Sequence, residues 1–251
     1  MRIAIKLLTI PFVMLCLICQ GCNKDSPDKT DTIQNGRRII EFSGYKWVVE
    51  SSSDKKQGPG PNYFSDSEEN VWLDQDGKLH LRITYKKGIW YCAKVTMLKS
   101  YSSGRYVFQV DSRVDNFDKN VVGGLFTYKN DTEEIDIEFS KWNSDGNMDS
   151  QFAVQPSSKS ANKKRFFLNL TGEKSTHWFN WQRDRIDFMS YQGQSQELPA
   201  ANNIIQQWTY TGNDIPPDSD EKIKINLWLF KGAPPSDLQE TEMVISKFSI
   251  H

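Results

Sequence analysis

The sequence predicts an all-β protein, and three observations support that fold class. Apolar and polar residues alternate with a period of two along most of the chain, which is typical of strands with one face in a core. Helical periodicity is almost absent, apart from one short helical turn expected at 202–207. Turn signals such as Asp76-Gly77 and Ser103-Gly104 separate the alternating segments. About a dozen short strands in one compositional block predict a single two-sheet β-sandwich.

The expected strands follow from this alternation and from the turns between its segments. In the segment 222–230, for example, isoleucine and leucine occupy every second position from Ile223 to Leu229. The expected strands span 78–85, 89–98, 105–112, 121–128, 133–140, 150–155, 165–170, 176–181, 185–191, 222–230 and 242–250.

The first 21 residues have the pattern of a signal peptide rather than of a folded element. Arg2 and Lys6 supply a positive start, and the apolar stretch 7–18 is too short to span a bilayer comfortably. Cys22 directly follows a small-residue junction, as the lipid-modified cysteine of a bacterial lipoprotein does. The alternative is plain secretion, in which Cys22 carries no lipid.

Residues 22–38 are rich in Lys, Asp, Ser, Thr, Asn and Gly, which predicts a flexible tether. Residues 39–251 are long enough for one large β domain with its own core. We therefore expect an exported, monomeric domain in the cell envelope, at the outer membrane on its periplasmic side or at the cell surface. Its contact with the membrane is expected through the lipid on Cys22 only.

Charge, cysteine usage and aromatic content limit the classes of function that the chain can have. The net charge is −1 and no long basic run occurs, so nothing indicates nucleic-acid binding. After the signal peptide and Cys22, only Cys92 remains, and its apolar neighbours predict a buried, inert thiol. Aromatic residues make up 12% of the chain, which fits either stacking on sugar rings or a large sandwich core.

The segment Glu-Ile-Asp-Ile-Glu-Phe at 134–139 is the most informative feature of the chain. In a strand, Glu134, Asp136 and Glu138 share one face, while the apolar residues between them face a core. The Cα atoms of the two glutamates would lie about 13 Å apart at about 3.3 Å per residue. If both side chains lean inward, their carboxyl groups approach to about 5 Å, the separation of nucleophile and acid/base in a retaining glycosidase.

Two other interpretations of this acidic strand stay open at the sequence level. It could be a half-exposed strand whose wet face is screened by Lys or Arg on neighbouring strands. It could also bind a hard cation, although no His lies nearby and no loop supplies staggered oxygen ligands.

Two further strands carry polar side chains that could line a cleft. Asn226 and Trp228 share one face of the segment 222–230, and an indole beside a carboxamide suits a sugar-binding surface. Gln151 and Gln155 share one face of the segment 150–155, where paired amides could bind sugar hydroxyls. A partly covered outer face explains the first pattern equally well, and the second fits an exposed strand, where glutamines are common.

Several segments in order resemble glycoside hydrolase family 16, which includes the lichenases and related β-glucanases. The motif at 134–139 matches the unbulged catalytic motif of that family. The other segments that carry the resemblance are Gly123-Gly124-Leu125-Phe126-Thr127-Tyr128, His177-Trp178-Phe179-Asn180-Trp181, Asn226-Leu227-Trp228, and Trp90-Tyr91-Cys92-Ala93 followed by Ser103-Gly104-Arg105-Tyr106.

This resemblance implies a concanavalin A-like jelly roll whose concave sheet forms a substrate groove. It implies that Glu134 is the nucleophile, that Glu138 is the general acid/base, and that Asp136 orients and tunes the nucleophile. The implied activity is endo-acting hydrolysis of O-glycosyl bonds in a β-linked polysaccharide or glycan, with net retention of configuration. No cofactor is implied; family members often hold a structural calcium ion, for which this sequence offers no assignable ligands.

The chain departs from the lichenase pattern beside the motif. Thr132 stands where lichenases have Trp, Lys94 where the family often has a sugar-contacting Glu, and Thr96 where an Arg would stand. Trp142 could supply stacking in place of the missing ring, or it could pack on the sheet as a loop residue. These departures give the alternative function, a cell-surface carbohydrate-binding protein without turnover on the same fold.

Overall fold

The computed structural model describes residues 31–195 and 198–251, which contain 17 β-strands and four short 3₁₀ helices. The strands are β1 Thr32–Gln34, β2 Arg37–Phe42, β3 Tyr45–Val49, β4 Tyr63–Phe64, β5 Val71–Leu73, β6 Leu79–Lys86, β7 Ile89–Met97, β8 Gly104–Asp111, β9 Val121–Asn130, β10 Glu133–Phe139, β11 Ser150–Val154, β12 Lys163–Phe166, β13 Lys174–Trp181, β14 Ile186–Gln192, β15 Ile204–Tyr210, β16 Lys222–Leu229 and β17 Thr241–Ile250. The 3₁₀ helices are Val114–Asn116, Ser160–Asn162, Ala201–Asn203 and Phe230–Gly232. Among the described residues, none of the helices has the length and apolar character needed to cross a bilayer.

The strands form two antiparallel layers, as the alternating pattern predicts. The front sheet has the order β1-β2-β3-β7-β16-β9-β10-β11-β12. The back sheet has the order β15-β14-β13-β8-β17-β6-β5. The β6–β7 hairpin joins the two layers, and β4 pairs in parallel with β7. The prediction of a two-sheet sandwich is confirmed.

The core lies between the two sheets and fixes which face of each strand is exposed. On β10, Ile135, Ile137 and Phe139 point into the core and are fully buried. Phe152 of β11 stacks on Phe188 of β14 across the layers, with ring centroids 5.0 Å apart. Burial of apolar side chains stabilises the fold by about 25 cal/mol per Å² of apolar surface. This burial fixes which face of β10 points into the core. Its acidic residues therefore face away from the core.

Cys92 lies on the core side of β7, as its apolar neighbours predict. Its side chain is fully buried, and burial raises the pKa of its thiol to about 12. It is the one free cysteine of the described residues. A neutral thiol in this setting serves packing rather than chemistry.

Strand positions agree closely with the sequence prediction, with two exceptions. The strand expected at 165–170 lies at Lys163–Phe166, and the helical turn expected at 202–207 is wrong for most of its length. Only Ala201–Asn203 is helical, and β15 starts at Ile204 because that segment pairs with β14. The short strands β1 to β5 were not predicted.

The tether predicted over residues 22–38 is wrong for 32–38, which contain β1 and the start of β2. Arg38 accounts for this difference, because its side chain is buried. Its Nη1 donates to the carbonyl oxygens of Val71 and Asp66, at 2.8 and 2.9 Å, and its Nη2 pairs with Asp31 at 2.7 Å. A polar composition gives no sign of a single buried arginine. The signal peptide 1–21, Cys22 and the first part of the tether lie outside the described residues.

Candidate functional site

A cleft of about 440 Å³ lies on the outer face of the front sheet, the face opposite the core. This volume falls within the range of roughly 300–1,000 Å³ that is usual for small-molecule sites. Its lining residues come from four neighbouring strands, the β9–β10 turn and one loop: Lys94 of β7, Gly124, Phe126 and Tyr128 of β9, Asp131 of the turn, Glu134, Asp136 and Glu138 of β10, Lys224, Asn226 and Trp228 of β16, and Gln57, Gly58 and Pro59 of the loop. The cleft thus contains all three predicted carboxyl groups.

The three carboxyl groups are not the wet face of an ordinary exposed strand. Asp136 is only 3% exposed, and Glu134 and Glu138 are half-buried. They share one face of β10 because the strand alternates regularly between Glu134 and Phe139. Lys224 lies in the same cleft, but none of the three carboxyl groups is within ion-pair distance of a described cation. This placement contradicts the interpretation of a screened surface strand.

The strand register builds a row of side chains across the sheet through Glu138. On one side, Glu138 lies opposite Gly124 of β9, which lies opposite Asn226 of β16. On the other side, Glu138 lies opposite Gln151 of β11, which lies opposite Arg165 of β12. Directly opposed residues of antiparallel strands have Cβ atoms about 4.5–5.5 Å apart, so members of this row touch.

Gly124 makes room for the amide of Asn226. A Cβ atom at Gly124 would lie 2.5 Å from Asn226 Oδ1, closer than atoms can approach. Asn226 is 2% exposed, and its Oδ1 has no hydrogen-bond partner among the described residues. The structure therefore places this predicted sugar-binding residue in the cleft with unused hydrogen-bonding capacity.

Gln151, predicted to bind sugar hydroxyls, instead binds the carboxyl group of Glu138. Its Nε2 donates to Glu138 Oε2 at 2.6 Å. Its Oε1 accepts from Nη1 of Arg165 at 3.3 Å, which fixes the orientation of the amide. Arg165 is anchored by the carbonyl oxygens of Ser140 and Met148. Sequence reasoning did not single out Arg165, because only the pairing of β11 with β12 brings it to the site.

Gln155, predicted to bind sugar as well, binds Asp136 in the same manner. Its Nε2 donates to Asp136 Oδ2 at 2.9 Å, and its Oε1 accepts from the backbone N–H of Ser157 at 2.7 Å. Neither Gln151 nor Gln155 lines the cleft. Both glutamines thus contact the carboxyl groups from the β11 side of the row.

Trp228 and Trp142 have different positions relative to the cleft. Trp228 lines it and is 8% exposed. Trp142 is half-buried and does not line it; its ring meets Trp228 and Phe230 edge-on, with centroid distances of 6.3 and 5.3 Å. Of the two roles expected for Trp142, packing on its neighbours is the one observed.

Burial raises the pKa of all three carboxyl groups. It raises the pKa of Glu138 to about 8, with a smaller contribution from the charge of Asp136, and Gln151 and Arg165 oppose this shift. Burial also raises the pKa of Glu134 to about 8, while Asp136 and Lys224 favour its ionised form. The pKa of Asp136 is raised well above its ordinary value by burial and then by the charge of Glu134.

The hydrogen bond between Asp136 and Glu134 distinguishes these two groups. It lowers the pKa of Glu134 and raises that of Asp136, which favours a proton on Asp136 and a negative charge on Glu134. Glu138 has no such donor besides the neutral amide of Gln151. The arrangement can therefore hold one ionised and one protonated glutamate side by side in one cleft.

Several cleft residues were not predicted as ligand contacts, namely Phe126, Tyr128, Asp131, Lys94 and Lys224. Period-two alternation places each of them on the polar face of its strand or in the turn beside it, so the signal was present. Which strands become neighbours, however, is not visible in the local pattern. Among the described residues, no group of three or more His, Cys, Asp or Glu side chains could hold a metal ion.

Comparisons with known proteins show the fold but no closer relationship. No family model and no curated sequence matches the chain. A β-glucanase structure from Bacillus licheniformis matches with 16% identity and a TM-score of 0.59, over 88% of this chain and 95% of that one. A β-1,3-1,4-glucanase (lichenase) from a mouse hindgut metagenome matches with 19% identity and a TM-score of 0.57, over 81% and 92%.

A third structure is named as a pseudo β-1,3-glucanase of Mycobacterium tuberculosis, with 15% identity and a TM-score of 0.59, over 80% of this chain and 88% of that one. Likenesses at such low identity show the fold alone. The chain has the β-sandwich jelly roll of these β-glucanase structures.

Proposed function

We propose that this chain is a retaining glycosidase that hydrolyses O-glycosyl bonds inside a β-linked polysaccharide or glycan. The observation that carries the proposal is the row Glu134, Asp136 and Glu138 on the cleft face of one strand. Two glutamates four residues apart on a strand can bring their carboxyl groups to about 5 Å, as covalent glycoside hydrolysis requires. The shared jelly roll of the β-glucanase structures supports a polysaccharide as the substrate.

In the first step, the carboxylate of Glu134 attacks the anomeric carbon while Glu138 donates its proton to the departing glycosidic oxygen. The bond from the anomeric carbon to that oxygen breaks, and a glycosyl ester forms on Glu134. In the second step, Glu138 takes a proton from water, and that water displaces Glu134 from the anomeric carbon. Two displacements at one carbon restore the original configuration.

The neighbouring residues set the proton positions for these steps. Asp136 donates its proton toward Glu134, which keeps the nucleophile ionised at a site where burial disfavours charge. Gln151 donates to Oε2 of Glu138, so the proton of Glu138 belongs on the other oxygen.

The alternative is a cell-surface protein that binds carbohydrate on this fold without turnover. One structure of the same fold is named a pseudo β-1,3-glucanase, and Lys94 and Thr132 depart from the lichenase pattern. A pure binding protein gains nothing from three neighbouring carboxyl groups that are buried or half-buried, because removing them from water costs free energy. Release of new reducing ends from a polysaccharide panel distinguishes the two functions, since a binding protein releases none.

The test of the catalytic assignment is Glu134→Gln, measured by reducing-end release from the best substrate of that panel. We expect activity to fall by about a thousandfold or more, because the amide cannot form the glycosyl ester. Glu133→Gln is the matched control; Glu133 is bound by Asn130 and Lys129 outside the cleft, and its variant should keep full activity.

Unchanged activity of Glu134→Gln would remove the assignment. NMR of the first product gives a second check, since a retaining enzyme acting on a β-linked polymer releases the β-anomer. An α-anomer would reject the double displacement.

We also propose that the protein is exported and held at the envelope by a lipid on Cys22, with the domain acting as a monomer. The support is the charged and apolar pattern of residues 1–21 and the position of Cys22 after a small-residue junction. A single anchor of this kind tethers a protein to a membrane without spanning it.

A further inference from the structure

Two lysines line the cleft beside the carboxyl groups, Lys94 on β7 and Lys224 on β16. Lys94 lies opposite Asn226, and Lys224 lies two residues before Asn226 on the same face. The two lysines are thus diagonal neighbours on adjacent strands. Burial lowers the pKa of Lys94, and the charge of Lys224 lowers it further. Two cations so placed form one positive wall of the cleft.

Neither ammonium group has its hydrogen-bonding capacity filled. Lys94 Nζ donates to the carbonyl of Gly58 at 3.3 Å and lies over the ring of Phe64, 4.3 Å from its centroid. Lys224 Nζ lies 4.1 Å from the ring centroid of Tyr128 and makes no hydrogen bond within the described part of the chain. Because each ammonium carries three N–H donors, most of these donors have no acceptor among the described residues.

The carboxylates around the two lysines do not form ion pairs with them. Glu50 and Glu134 act on Lys224 by charge, and Glu50 acts on Lys94. No contact of 4.0 Å or less joins either lysine to a carboxylate of the described residues. Asp131, at the edge of the cleft, accepts instead from the hydroxyl of Tyr128 at 3.0 Å.

Two partly buried cations without a carboxylate partner favour an anionic ligand. Burial lowers the pKa of both lysines, which is the cost of removing their charge from water without a partner. Beside them lies Asn226, whose buried Oδ1 also has no hydrogen-bond partner in the described part of the chain. Three neighbouring polar groups are therefore incompletely satisfied, and all three face the same space.

We propose that the substrate is an acidic glycan, and that Lys94 and Lys224 bind an anionic substituent on a sugar held beside Glu134 and Glu138, with Asn226 contacting a neighbouring hydroxyl. This inference rests on the proposed function and specifies the substrate class of that site. The substituent is a carboxylate or a sulfate ester, since compact ammonium groups bind either as point charges.

The experiment measures binding without turnover, so it uses the Glu134→Gln protein. The probes are three forms of one soluble β-1,3-glucan: neutral, sulfated, and oxidised to carboxylate at C6. Affinities are measured by isothermal titration at low ionic strength. We expect one acidic form to bind about tenfold or more tightly than the neutral form, the strength of one or two charge-assisted hydrogen bonds. The acidic form that binds more tightly than the neutral glucan identifies the substituent.

Lys94→Met in the same background should remove most of that preference, and Lys247→Met is the matched control. Lys247 lies on β17 of the back sheet, so its loss removes the same charge from the opposite side of the molecule. Thermal unfolding of each variant confirms that the protein is folded; if Lys94→Met unfolds, Lys94→Gln replaces it. The preference should also weaken with added salt.

Equal binding of the three forms, binding of none, or an acidic preference that survives in Lys94→Met would overturn the inference. Hydrolysis by the wild-type protein separates this result from failure of the proposed function. Reducing ends released from the neutral glucan without an acidic preference keep the glycosidase and reject the acidic substrate. An acidic preference without release of reducing ends from any form rejects the glycosidase and keeps the acidic ligand.

Discussion

At the scale of single residues, the two glutamines on and after β11 control where the protons of the site lie. An amide can donate or accept, and Arg165 and the backbone of Ser157 remove that choice by donating to the two amide oxygens. Gln151 and Gln155 must then donate to Glu138 and Asp136. The free oxygen of each carboxyl group is the one left to carry a proton.

This arrangement predicts the effect of Gln151→Leu on the pH dependence of hydrolysis. The bond from Gln151 stabilises ionised Glu138 and lowers its pKa, so its loss raises that pKa. Glu138 acts as a protonated acid, and activity falls as the pH rises through its pKa. The basic limb of the pH profile should therefore move to higher pH by about one unit, the equivalent of one charge-assisted hydrogen bond.

Measurement of kcat/KM from pH 4 to pH 10 checks this shift. Gln207→Leu, on the exposed outer strand β15, is the matched control and should leave the profile in place. A basic limb that stays or moves to lower pH in Gln151→Leu contradicts the positioning role.

The carboxyl row could be predicted from the sequence because alternation along one strand is a local property. Glu134, Asp136 and Glu138 share a face whatever their strand pairs with. The task of Gln151 could not be predicted, since it depends on the register between β10 and β11. A glutamine on a polar strand face looks the same whether it meets a sugar or a carboxyl group.

At the scale of elements, β9 serves the core and the cleft with two adjacent glycines. A Cβ atom at Gly123 would lie 2.9 Å from Sδ of Met243 and 3.1 Å from the ring of Phe117, on the core side. A Cβ atom at Gly124 would instead meet Asn226 on the cleft side. The same substitution at neighbouring positions thus disturbs packing in one case and the site in the other.

We expect Gly124→Ala to lower activity about tenfold or more while the free energy of unfolding changes little, because Asn226 must leave its position. Gly123→Ala should lower the free energy of unfolding by about 1–3 kcal/mol, the usual cost of overpacking a core. Gly172→Ala is the control for both, since a Cβ atom there meets no atom within 4 Å.

Urea denaturation and reducing-end assays on the three variants measure the two quantities separately. If Gly124→Ala kept full activity, Asn226 would have no part in the site. If Gly123→Ala were as stable as the parent, the contact with Met243 and Phe117 would be relieved at little cost.

The long strands were predictable at this scale and the short ones were not. β7, β9, β10 and β16 each have enough alternating positions to specify a buried face. β15 was missed because Asn202-Asn203 favours a turn locally, while pairing with β14 extends the chain from Ile204 onward. Tertiary pairing overrides local preference there.

At the scale of the whole molecule, the site depends on the order of strands in the front sheet. β7, β16, β9 and β10 are neighbours in space although β16 lies near the end of the chain. The alternating pattern gives the two-sheet class but contains no information about this order, so the facing of Lys94 and Asn226 could not be derived from it. The resemblance of several segments to one family implied a groove on a concave sheet, without an order for its strands.

Attachment to the envelope is tested on the full chain with Cys22→Ser. We expect the parent protein in the membrane fraction and the variant in the soluble fraction, because the acyl chains are the whole anchor. Cys16→Ser, within the same leader, is the control and should stay with the membrane. Detection of both proteins by immunoblot after fractionation is sufficient, and a membrane-bound Cys22→Ser variant would contradict the anchor.

The position of Cys92 on an inner strand of the front sheet has a consequence for following the molecule in solution. Its sulfur is sealed inside the sandwich, and its proton is held at neutral pH. An alkylating reagent can reach it only while β7 is separated from its neighbours. No other thiol in the described residues competes for the reagent. The rate of Cys92 alkylation therefore measures the rate at which the two sheets separate.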